Sequence, residues 1–174
     1  MLLVAERACI YETANAAVVE WASHRIKRVV KSTLASEAAA LCEAQDHLEF
    51  ARVLFQQMLG KCTGRNWQSA LAEMPGYLVM DAKSLYDSLM KPGSLPKERR
   101  VALDVSAIRE ALERETDFAR WTPTRHMLAD ALTKSMVVVP PYLDYVLSRG
   151  KLSLVESPEA ANVLAGRQAA EGGP

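Results

Sequence analysis

With 174 residues, 49% of them hydrophobic, the chain has room for one domain with a real core and too little for two comfortable ones, and it is too apolar to be disordered. Its 21 basic and 21 acidic side chains cancel, so bulk charge gives no case for a nucleic-acid or membrane-surface partner. Three cysteines, far apart and without metal-ligand spacing, suit a reducing compartment, and neither the apolar start Met1 to Ala5 nor any later run is long enough for a signal peptide or for the roughly 18 residues of a membrane span; the expectation is an intracellular protein, cytoplasmic or nuclear.

Leu2 to Ala5 reads as a short strand, followed by a polar connection. Ala17 to His24 alternates, with Val19 and Trp21 on one face and Glu20 and His24 on the other, as in a half-buried strand. From Thr33 to about Leu59 the period becomes helical, with Leu34, Ala38, Leu41, Leu48, Phe55 and Leu59 on a common stripe and Ser32 or Thr33 available as N-cap. Gly60 and Gly64 mark a polar loop. Tyr77 to Met80 is a buried strand, and Ala82 to Met90 a helix stopped by Pro92-Gly93. Glu98 to Leu112 is a second helix, with Val101, Val105, Ile108 and Leu112 on one side. Phe118 to Thr122 is a strand ended by Pro123, and Met127 to Lys134 begins another helix. Pro140-Pro141 opens a short helix through Leu147, Lys151 to Val155 is an edge strand, and the Ala- and Gly-rich end from Ala160 frays. This order describes an α/β domain with a mixed sheet.

Three carboxylates stand out. Glu37 shares the apolar side of its helix with Leu34 and Leu41, so it points toward the sheet. Burying a bare charge costs several kcal/mol unless something compensates it. A metal ion would do so; the plainer reading is a partly exposed acid near Lys31 or Arg28. Asp81 directly follows an apolar strand, where α/β folds place ligand-binding groups, and is equally a candidate N-cap for the next helix. Asp130 lies in the first turn of a helix, a place that also suits an acid through the helix dipole. His24, Arg25, Lys27, Arg28 and Lys31 form the densest basic cluster, a candidate phosphate-contacting surface just before Glu37. Lys97, Arg99 and Arg100 read as a solvated helix face, and Trp21, Trp67 and Trp121 as packing residues. His126, four residues before Asp130, is either an accessory proton-transfer group or a surface residue.

Taken together, Trp21 to Val29, Ser32-Thr33-Leu34-Ala35-Ser36-Glu37, Asp81 with Ser84, Leu103-Asp104-Val105, Ile108-Arg109-Glu110, Trp121-Thr122-Pro123-Thr124 and Leu128-Ala129-Asp130-Ala131-Leu132-Thr133-Lys134 resemble the ribonuclease H domain of copia-type LTR retrotransposon polyproteins. The resemblance runs from about Val18 to Met136. It implies hydrolysis of the RNA strand of an RNA–DNA hybrid by two Mg²⁺ ions about 4 Å apart, with Glu37, Asp81 and Asp130 as ligands. It also implies reverse transcriptase and integrase portions of a parent polyprotein as partners. In that family a further Asp ends a first, central strand. Here Met1 to Ala5 aligns with the second strand, and no Asp occurs before Asp46. The expected fold is therefore a ribonuclease H-like mixed sheet with flanking helices lacking its first strand, over residues 1–136, with a C-terminal extension at 137–174. The expected three acids converge within roughly 4–8 Å to share two ions, and activity is impaired by the absent Asp. A catalytically dead nucleic-acid-binding remnant and a protein-interaction fragment are the alternatives.

Overall fold

The computed structural model describes residues 1–23, 26, 29–63, 65–91, 93, 95–114, 116–133 and 140–154. It is a mixed α/β chain that divides into two compact units, Arg25–Trp121 and Met1–His24 with Thr122–Pro174.

In the unit Arg25–Trp121, helix α1 (Thr33–Met58) starts where Ser32 Oγ accepts the backbone N–H of Ala35 at 3.2 Å, the N-cap bond expected of a serine in extended backbone. Helix α2 (Trp67–Ala72) occupies part of the stretch that the sequence suggests is loop. Strands β3 (Gly76–Met80) and β4 (Asp117–Trp121) pair in parallel, Gly76 opposite Asp117 and Met80 opposite Trp121. Helices α3 (Lys83–Met90) and α4 (Arg99–Leu112) make the crossover that a parallel pair requires. Val101, Val105 and Ile108 of α4 pack with Leu85 and Leu89 of α3, Leu78 and Met80 of β3, and Ala35, Ala38 and Leu41 of α1.

Leu48 still packs, partly buried, against the same core, and beyond it the apolar stripe expected along α1 gives way. The buried positions of its later turns are Gln45, Arg52 and Gln56, while Phe50, Leu54, Phe55, Met58 and Leu59 are exposed. The cause lies at the entry of β4. Asp117 is buried there, and Arg52, only 2% exposed, forms an ion pair with it. Arg52 also donates through Nε to the Met74 carbonyl at 2.6 Å and through Nη2 to the Leu71 carbonyl at 2.9 Å. Gln45 Nε2 donates to the other Asp117 oxygen at 3.0 Å. A charge this deep is tolerable only when paired and hydrogen-bonded, and here it is both. Gly76 fits because it has no side chain: a Cβ there would lie 2.9 Å from Arg52 Nη1, from Asp117 Oδ1 and from a Leu48 methyl.

In the other unit, strand β1 (Leu2–Ala5) runs antiparallel to β2 (Ala14–Glu20), with a register irregularity between Leu2 and Leu3. The second strand therefore begins earlier than expected, and its phase is reversed. Ala14 and Ala16 face inward, whereas Val19 and Trp21 are exposed. Two alanines leave room for Cys9, Tyr142 and Val146 to pack against the strand, and the two-residue period then turns Val19 outward. Strand β5 (Lys151–Leu152) borders β2 on its other side, so the sheet order is β1-β2-β5. Helix α5 (Asp130–Thr133) is short. Helix α6 (Pro141–Arg149) ends on Gly150 at φ 59°, the left-handed conformation that glycine adopts without strain. Among the described residues the ladders form two sheets, and neither β1 nor β3 has a second strand partner.

Candidate functional site

The parallel pair fixes where chemistry can gather in the unit Arg25–Trp121. Both strands exit at the same end, and ligand-binding groups of α/β folds collect at such exits. Asp81 is the first residue past β3 and is half-buried. The cap of α3 is Ala82, with no side-chain capping bond, so the carboxylate of Asp81 is not the helix cap that the sequence allowed. Its backbone is held: the indole N–H of Trp121, at the exit of β4, donates to the Asp81 carbonyl at 3.0 Å.

Helix α1 carries Glu37 in its first turns, where Ala35, Ala38 and Leu41 share a core with Leu78 and Met80 of β3. Glu37 is half-buried beside the fully buried Ala38.

Two groups at these exits were not singled out by the sequence. Lys83 places its Nζ 4.9 Å from the centre of the Tyr86 ring and 5.6 Å from that of Trp121, while bridging to Asp87 at 2.9 Å. Trp121, read from the sequence as a packing residue, is 39% exposed. The only sequence signal was proximity, Lys83 standing two residues past Asp81.

Asp130 opens α5 in the other unit and is half-buried. His126 is not a surface residue. It is buried, 5.2 Å ring to ring from Tyr142, and burial, followed by the charge of Arg125, lowers its pKa from the ordinary histidine value. Of the basic cluster, Lys31 is exposed just ahead of the α1 cap, and His24, Arg25, Lys27 and Arg28 lie outside the described residues.

Carboxylate oxygens are the donors Mg²⁺ prefers, so the chemistry of Glu37, Asp81 and Asp130 suits that ion. Among the described residues no three His, Cys, Asp or Glu side chains come together as a group able to hold a metal. Among the described residues, too, no helix is long and apolar enough to cross a membrane. A scan against protein-family models, a search of curated proteins and a search of solved structures each found no match.

Proposed function

We propose that the chain is a ribonuclease H-like domain of the copia-type retrotransposon kind, acting on RNA–DNA hybrids as part of a larger reverse-transcription polyprotein. The observation that supports this reading is the parallel β3–β4 pair with the half-buried Asp81 directly at its exit. Asp81 serves no capping role there, and a half-buried acid with no structural duty at a strand exit is a candidate for function.

In this reading Arg25, Lys27, Arg28 and Lys31 hold the hybrid backbone by charge, and Trp121 fixes the main chain that carries Asp81. Bound Mg²⁺ would supply an activated water and stabilise the departing oxygen. In the family this reading invokes, a further Asp ends the first strand, and no Asp precedes Asp46 here, so in this reading hybrid binding by this chain exceeds its hydrolysis. A second reading is that the chain binds hybrid without cutting it.

Fluorescence anisotropy with a labelled RNA–DNA hybrid tests the first step. Binding should weaken steeply between low and physiological salt, and replacing Arg25, Lys27, Arg28 and Lys31 by Ala should flatten that slope by up to about four counterions. Salt-independent or absent binding would refute the nucleic-acid reading. Cleavage assays in Mg²⁺ separate the two readings. Weak cutting that is abolished by Asp81→Asn, and strengthened when a strand ending in Asp is supplied upstream, supports the nuclease. No cutting in either form supports the binding remnant.

A further inference from the structure

The turn between β3 and α3 carries Asp81 and has no side-chain cap to hold it, since Ala82 stands at the cap position. What reaches Asp81 comes from 40 residues away. The parallel register sets Trp121 beside Met80, so its indole N–H crosses the strand end and donates to the next carbonyl, that of Asp81, at 3.0 Å. This bond depends on how the ring is turned. Trp121 is partly exposed, and the ring torsion of a tryptophan is broad unless its surroundings select one setting. Lys83 supplies the selection. Its Nζ stands 5.6 Å from the centre of the Trp121 ring and 4.9 Å from that of Tyr86, within the range of attraction to a π face. Tyr86 and Asp87 follow Lys83 by three and four residues on α3, so they lie on its side of the helix, and Asp87 pairs with the same Nζ at 2.9 Å.

We infer that Lys83 is a positioning residue for Asp81, acting through Trp121. Asp87 and Tyr86 keep the ammonium group over the indole, and the ammonium keeps the ring in the setting that donates. The donated bond then ties the main chain of Asp81 to the end of β4. Lys83 follows Asp81 by two residues, yet it acts on it through the neighbouring strand, so the turn is fixed from β3 and β4 together. A cation–π contact at an exposed site biases such a setting about twofold to fivefold. What Asp81 does once it is held rests on the nuclease reading; the holding itself does not.

Nuclear magnetic resonance of the full chain, without metal or nucleic acid, tests the proposal. The three tryptophans give three indole N–H peaks. That of Trp121 is the one lost in Trp121→Phe, a variant that should also shift the carbonyl carbon of Asp81 by removing its hydrogen bond. Lys83→Met keeps the aliphatic stem and removes the charge. It should speed solvent exchange of the Trp121 indole hydrogen about twofold to fivefold and move the Asp81 carbonyl in the direction seen in Trp121→Phe. Lys83→Arg, which keeps a cation for the ring and for Asp87, should restore both. Unchanged exchange in Lys83→Met, or equal exchange in Lys83→Met and Lys83→Arg, overturns the proposal, as does an Asp81 carbonyl indifferent to Trp121→Phe. Mn²⁺, whose unpaired electrons broaden nearby resonances, tests the nuclease reading separately. If the exchange results are as expected and Mn²⁺ leaves the Trp121 peak sharp, the positioning stands and the metal role of Asp81 falls.

Discussion

The two halves of helix α1 solve the same packing problem with opposite chemistry. The first half, through Leu41, buries alanine and leucine against β3 and α4. The second half buries glutamine and arginine and leaves phenylalanine, leucine and methionine in the solvent. Position along one helix does not explain the difference; what faces it does. The first half meets the apolar exits of the sheet, and the second meets Asp117, a charge that must be answered. An amphipathic helix is thus defined by its partner, and a long one with two partners can have two inward faces of different kind.

The ion pair is the place to break this arrangement. Asp117→Ala leaves Arg52 buried without its counter-charge and should cost about 3–5 kcal/mol, measured by chemical denaturation. Replacing both residues together, Arg52→Met with Asp117→Leu, should recover much of that loss, because two apolar side chains need no mutual compensation. If the double variant is as unstable as the single one, the polar network specifies the local backbone and does more than neutralise a charge.

In the apolar half, Leu41→Ala should cost about 3 kcal/mol through lost burial and the cavity left behind. Comparable losses from the two halves would show that the helix is anchored equally by both kinds of contact. At its start, Ser32→Ala removes the side-chain acceptor of the Ala35 N–H and should cost about 1 kcal/mol; Ser32→Asp should keep most of that stability.

The smallest effect lies in the other unit, which has its own buried titratable group. The pKa of His126 is lowered in the folded state, so the unfolded chain binds the proton more readily. Stability contributed by this group is complete above about pH 6.5, the ordinary histidine value, and declines as pH falls through that value toward the folded one. Thermal melts across pH 5–8 should show this slope, and His126→Phe should remove it without touching the behaviour of the Arg52–Asp117 pair.

Much of the chain could be read locally. The start of α1 follows from Ser32, β3 from its apolar run after Pro75-Gly76, and α4 from Val101, Val105 and Ile108, because each signal sits inside the element it defines. Two readings went astray where the deciding residue is distant. The later turns of α1 are set by Asp117, 65 residues from Arg52. The inward phase of β2 is set by Tyr142 and Val146 packing on alanines. In the candidate site, Asp81 was legible as a strand exit. The partial exposure of Trp121 and the placement of Lys83 over its ring were not, since both depend on the pairing of β4 with β3. His126 misled for the same reason: the Tyr142 ring that buries it comes from a helix further along the chain.

The parallel pairing also carries a kinetic consequence. Each tie that closes the unit Arg25–Trp121 spans a long stretch of sequence: 40 residues between Asp81 and Trp121, 65 between Arg52 and Asp117, and 72 between Gln45 and Asp117. Loop-closure entropy must be spent before such contacts return anything. Helices α1 and α4 can flicker into being early, but β4 arrives last, and Asp117 with it. Until it does, Arg52 is a solvated cation on a helix whose two faces are not yet told apart. In refolding experiments, helical circular dichroism should therefore lead, and the environment of Trp121 should change only in the slowest step.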